Sequence, residues 1–197
     1  MPTSGSRRRP EQVAEALADI QSRHASDARL TEIGRTHEGR PILGLFIGAN
    51  LQDPDPRPVV LLNGAHHGGE LLSVDVVLDA IGVLLENSEP RLASRVERLL
   101  SELVILCVPE VNPDGVNAVL SDSQRSDRKN ARDNNENEHV DSADGVDLNR
   151  NYPFRWGSLG EKEPPLVGGV GGSRVGVSRA PTDAVEYRPQ SERKVDG

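Results

Sequence analysis

The run Val59-Val60-Leu61-Leu62, between Pro58 and Asn63, is continuously apolar with no polar alternation. Such a run is the mark of a strand buried on both faces. It passes through Gly64 and Gly68-Gly69 into an apolar-rich segment with helical spacing, from about Glu70 to Glu86. A second helical stretch spans roughly Pro90 to Leu100, and a second apolar run, Leu103 to Val108, follows it. Strand, helix, helix, strand in this order predicts an α/β domain with a mixed, largely parallel central sheet.

Before this unit, Val13, Leu17 and Ile20 recur at helical spacing behind Pro10, which predicts an amphipathic helix ending near Ser22. Two short strands are expected next, Arg29 to Ile33 and Ile42 to Ile47, separated by the turn-forming segment from Gly34 to Gly39. From Ser121 to Gly145 the chain is polar, Asn/Asp-rich and without period, which predicts a long loop of the kind that is usually functional. After Gly157, glycine, proline and charge are scattered without period, and disorder is expected. The resulting division is a flexible leader over 1–9, a folded unit over 10–157 and a disordered tail over 158–197.

A formal net charge of -8 in 197 residues argues against a nucleic-acid partner, and the early Arg7-Arg8-Arg9 run reads as a solvated leader. The single cysteine, Cys107, falls inside an apolar run, where it packs as a small hydrophobe and has no partner for an intrachain disulfide. No apolar stretch follows the N-terminal arginines and none reaches the length of a membrane span. The expectation is a soluble, cytoplasmic product that neither enters nor binds a membrane.

Two constellations carry chemistry. The first, Gly64-Ala65-His66-His67-Gly68-Gly69-Glu70, sits where the first apolar strand gives way to a helix, the place at which α/β sheets hold ligands. His67 and Glu70 are three residues apart, so a tight turn can aim an imidazole nitrogen and a carboxylate oxygen at one point, a pair that suits Zn²⁺. The plainer alternative is that Glu70 favours the helix N-terminus electrostatically while the histidines are surface residues. Adjacent side chains leaving a strand point to opposite faces, so His66 is expected to be structural or to support a ligand from behind.

The second constellation is Gly145-Val146-Asp147-Leu148-Asn149-Arg150-Asn151-Tyr152. A planar guanidinium on Arg150 and a neutral amide on Asn149 together make a carboxylate clamp. Its alternative is a turn in which the Asn caps the backbone and the Arg is solvated.

In order along the chain stand His67-x-x-Glu70, Asn112-Pro113-Asp114-Gly115, Arg128-Lys129-Asn130 and Asp147-Leu148-Asn149-Arg150-Asn151-Tyr152. Together with Gly34-Arg35-Thr36-His37-Glu38-Gly39-Arg40-Pro41-Ile42, these resemble the successive signatures of the funnelin, or carboxypeptidase A-like, zinc metallocarboxypeptidases. The match runs roughly from Pro10 to Gly157. The resemblance implies a three-layer α/β/α fold, here incomplete, and hydrolysis of C-terminal residues from peptides. It implies one Zn²⁺ held by His67 and Glu70, and a peptide substrate whose free C-terminal carboxylate is gripped by Asn149 and Arg150. An arginine of the segment from Arg128 to Arg132 would stabilise the oxyanion. Because Ala131 stands where the family usually has Arg after the Asn, Arg132 is favoured and Arg128 is second.

The chain departs from the family pattern in the second half of the site. The histidines are His24, His37, His66, His67 and His139, and none follows Asn149-Arg150, where the third ligand belongs. No glutamate after that motif lies in a strand that can present a general base. The alternative reading is therefore a catalytically inactive, truncated or frameshifted remnant with at most weak binding of zinc or peptide carboxylates. A related acyl-amino-acid deacylase is disfavoured by the Asp147-Leu148-Asn149-Arg150 segment. Asp133, Asn135 and Asn137 echo a Ca²⁺ loop, but Glu138 occupies the position that needs Gly, so a solvated loop is expected. Without further strands, the faces built by Val59 to Leu62 and by Val104 to Val108 would leave apolar surface and an unpaired edge, with poor solubility as the consequence.

Overall fold

The structure is a computed structural model that describes residues 7–86, 91–121, 125, 127–142 and 144–152. Pro10 opens helix α1 (Pro10–Arg23) with its φ already set, and the backbone N–H of Arg9 donates to Oε1 of Gln12 at 2.8 Å. One face of α1 goes inward through Val13 and Leu17. Strands β1 (Ala28–Arg35) and β2 (Pro41–Ile47) form an antiparallel hairpin with Leu30 opposite Leu45. Gly39 adopts φ +80° in its turn, a conformation that glycine reaches without steric cost.

Strand β3 (Val59–Asn63) leads to α2 (Leu71–Glu86), then come α3 (Ala93–Glu102), β4 (Val104–Val108) and α4 (Pro113–Leu120). The four strands make one mixed sheet in the order β1-β2-β4-β3. The β3–β4 pairing is parallel, and its strands are joined by the crossover through α2 and α3 that a parallel pair needs, whereas the hairpin joins β4 antiparallel through β2. Helix α1 packs against β1, β2 and α4, while α2 lies on β3 and β4 and α3 on β4. Leu17, Leu45, Ile47, Ile81 and Cys107 are fully buried where these layers meet. Each large apolar side chain there contributes about 1.5–3 kcal/mol relative to exposure.

One expectation is corrected. The Val59 to Leu62 run does form a strand, but it is an edge strand rather than one covered on both faces. Val59, Val60 and Leu61 are 54%, 46% and 57% exposed, and among the described residues only β4 pairs with β3. Among the described residues β3 thus has an apolar edge without a neighbouring strand. Helix α4 was not anticipated, although its start is legible: Asn112 caps it by accepting the N–H of Gly115 at 3.0 Å, and Pro113 occupies the first turn.

Within the basic run read as a solvated leader, Arg8 pairs with Asp75 of α2 at 2.6 Å. Among the described residues no helix is long and apolar enough to cross a membrane. The expectations for residues 158–197, and for positions 1–6, lie outside the described residues.

Candidate metal and carboxylate site

The site is built where the chain leaves β3. Gly64 sits against the backbone of Pro109 and Ser73, with no room for a side chain. A Cβ on Gly68 would lie 2.7 Å from Cα of Gly115, so the turn carrying His67 is pressed directly onto the start of α4. Asn112 ties the segments together: its backbone N–H donates to the carbonyl of Ala65, and its amide nitrogen donates to the carbonyls of His66 and Lys129. The polar loop is held by Asn130, which accepts the Val146 N–H at 2.8 Å. Gly145, at φ +83°, closes that loop against Lys129 and Asn130.

These constraints bring three acid–base groups together. Nδ1 of His67 lies 2.7 Å from Oε1 of Glu70, and Nε2 of the same ring lies 3.2 Å from Oδ1 of Asp147. Asp147 is buried, and its second oxygen accepts Nε of Arg128 at 2.7 Å. A carboxylate fixed on Nε2 selects the tautomer protonated there and turns the Nδ1 lone pair towards Glu70. Two electron-pair donors that close together require a positive centre between or beside them, either a proton or a metal ion. The donor set therefore suits a zinc ion as two ligands, one nitrogen and one oxygen. Among the described residues no group of three His, Cys, Asp or Glu side chains converges on a common metal position.

The carboxyl groups respond to the positive centre that the cluster requires. Burial acts to raise the carboxyl of Asp147, but the hydrogen bonds from Arg128 and His67 outweigh it and hold the group below the usual carboxylate range. Burial likewise opposes ionisation of Glu70, and the hydrogen bond and charge of His67 bring it below its ordinary value. His66 is lowered, first by burial and then by the neighbouring His67 charge. Its Nε2 lies 2.6 Å from the hydroxyl of Tyr152, with the two rings tilted at 53°.

Asn149 and Arg150 form part of a 3-10 turn, Leu148–Arg150, that begins on Asp147: the N–H of Asn149 donates to Oδ1 of Asp147 at 3.0 Å. Both side chains are exposed, so the turn presents them to solvent beside the His67 cluster. Of the two arginines picked from the sequence, Arg128 has its guanidinium on Asp147. Arg132 is tied in through its backbone, its N–H to Asn130 and its carbonyl to Gly145. Asp147, Asn112 and Asn151 received no role from sequence reasoning. Asp147 had a usable signal as an acidic cap two residues before Asn149. Asn151 is buried, and neither polar atom of its side chain has a hydrogen-bond partner among the described residues.

In comparison with known proteins, a family model described as zinc carboxypeptidase matches residues 13–176. A metallocarboxypeptidase A-like protein of Trichophyton verrucosum is 30% identical over 149 residues, covering 76% of this chain and 32% of the relative. An inactive metallocarboxypeptidase of Talaromyces stipitatus is 29% identical over 177 residues, covering 88% of this chain and 28% of the relative. This chain thus spans about a third of the length of the relatives it matches. Among solved structures, the carboxypeptidase A of Helicoverpa armigera superposes with a TM-score of 0.65 at 26% identity, covering 80% of this chain and 38% of that one.

Proposed function

From its membership of the zinc carboxypeptidase family, we propose that this chain carries part of the active site of a peptide hydrolase that removes C-terminal residues. In that reading His67 and Glu70 hold a zinc ion. Asn149 and Arg150 take the free carboxylate of the peptide, and Arg128 stabilises the oxyanion. The supporting observation is the position of His67 between Glu70 and Asp147, with Arg128 on the far oxygen of Asp147.

When bound, zinc supplies Lewis acidity, polarising a carbonyl and bringing water to a pKa near ~7. The chain's own residues do the rest. Asp147 keeps the Nε2 proton of His67 in place and so leaves Nδ1 as the donor atom. Arg150 offers two parallel N–H groups to a carboxylate, which orients the peptide end. Arg128, anchored through Nε, presents a fixed positive charge where charge develops on the carbonyl oxygen, and a donor held in advance costs no reorganisation.

A second reading, a catalytically inactive member that binds zinc or peptide carboxylates weakly, is favoured by one observation. Several of the relatives that this chain matches are named inactive metallocarboxypeptidases. Metal analysis of the purified chain, followed by hydrolysis of a blocked dipeptide with a free C-terminus, separates the two. Stoichiometric zinc and turnover, both lost in His67→Ala, support the enzyme, whereas zinc-free protein without turnover supports the inactive member.

A further inference from the structure

Neither zinc ligation by His67 and Glu70 nor a grip by Asn149 and Arg150 calls on His66 or Tyr152, yet these two side chains meet. Nε2 of His66 lies 2.6 Å from the Tyr152 hydroxyl, with ring centroids 5.8 Å apart, across 86 residues of chain. A hydroxyl both donates and accepts, so either tautomer of the imidazole closes this hydrogen bond. The contact falls between the two halves of the site: His66 directly precedes His67, and Tyr152 follows Arg150 by two residues.

The His66 end is fixed. Its carbonyl accepts the Asn112 amide at 3.3 Å, and the Ala65 carbonyl beside it accepts the Asn112 N–H at 2.9 Å. The Leu148–Arg150 turn is held internally by the Arg150 N–H on the Asp147 carbonyl at 3.0 Å and the Asn151 N–H on the Leu148 carbonyl at 3.2 Å. A single 3-10 turn has poor hydrogen-bond geometry and little rigidity of its own, so its direction depends on what holds its two ends. Asp147 ties the first end to His67, and Tyr152 ties the last end to His66.

We propose that Tyr152 is a positioning residue: by its hydrogen bond to His66 it holds Asn149 and Arg150 in a fixed place relative to His67, ready for a peptide carboxylate. This rests on the reading of Asn149 and Arg150 as the carboxylate grip. Both side chains are exposed, and exposed groups bind well only when their backbone is already placed, because freedom left open is lost on binding. Zinc ligation does not pass through Tyr152, so loss of its hydroxyl acts on the carboxylate and not on the metal.

The test is NMR titration of the full chain, followed at the backbone N–H signals of Asn149 and Arg150. The probes are hippurate, which offers a free carboxylate, and hippuramide, which has the same frame without the charge. The parent is expected to prefer hippurate. Tyr152→Phe keeps the ring and removes the hydroxyl, and should weaken hippurate by ~3–10-fold, the worth of one hydrogen bond. Its zinc affinity in a chelator competition should be unchanged, which a general loosening of the site would not allow. His66→Leu removes the partner instead and should give the same loss, with no further loss in the double variant, since the two residues act as one contact. Either single variant decides alone if the other does not fold. Unchanged hippurate affinity in the variants, a parallel fall in zinc affinity in Tyr152→Phe, or additive losses in the double variant would overturn the positioning role. A parent that does not distinguish hippurate from hippuramide overturns the carboxylate grip itself, and the positioning role with it.

Discussion

Asp147 accepts a hydrogen bond from Nε2 of His67 at 3.2 Å, although 80 residues separate the two in the chain. The same carboxylate receives Arg128 and caps the turn that displays Asn149 and Arg150. One buried acid thus links the proposed zinc, oxyanion and carboxylate groups. Asp147→Asn should weaken zinc binding by ~10–100-fold, the usual effect of losing the acid behind a ligating histidine. A chelator competition titration reads this directly. Unchanged affinity would leave Asp147 with only a capping role.

For the arginines, Arg128→Ala is expected to lower kcat/KM on a blocked dipeptide by ~10²–10³, the effect of removing one oxyanion donor. Arg132→Ala should have the smaller effect, because Arg128 is the arginine whose guanidinium is fixed on Asp147. The reverse ranking in steady-state kinetics would return the role to Arg132.

Gly68→Ala places a methyl 2.7 Å from Cα of Gly115, backbone against backbone, where neither side can rotate away. A cost of about 3 kcal/mol or more is expected, at or above the upper end of ordinary overpacking. Urea unfolding measures it, and a loss below about 1 kcal/mol would mean that the turn and α4 separate more easily than their packing implies.

Glu110 makes stability depend on pH. Its carboxyl is raised from 4.5 to about 8 in the folded chain, so the native state holds the proton more tightly than the unfolded state. The contribution is fully present below pH 4.5 and is lost as pH rises to about 8, a change on the order of several kcal/mol. Glu110→Gln should therefore flatten the decline in Tm across that window and be more stable than the parent at pH 9. Parallel Tm profiles for parent and variant would remove Glu110 as the cause.

The β3 edge should drive self-association, since Val59, Val60 and Leu61 offer an apolar strand with a hydrogen-bonding side left open among the described residues. Leu61→Lys is expected to shift the chain towards monomer in light scattering after size exclusion. A parent that is already monomeric at high concentration would show that this edge is covered in solution.

The sequence by itself determined the elements other than α4, because helix periodicity and apolar runs are local properties. Val13, Leu17 and Ile20 located α1, and the runs ending at Leu62 and Val108 located β3 and β4. It also supplied His67 with Glu70, a pair whose geometry is set within one turn, and Asn149 with Arg150, which lie side by side on another. Tertiary structure alone decided how the distant parts meet. Whether Val59 to Leu61 are covered depends on which strands flank β3, and burial is a property of neighbours rather than of residue type. The contact of Arg128 with Asp147 and the pairing of Asp147 with His67 depend on the polar loop folding back through Asn130 and Gly145. No spacing in the chain encodes contacts of that range, because they arise only when the whole backbone has closed around them.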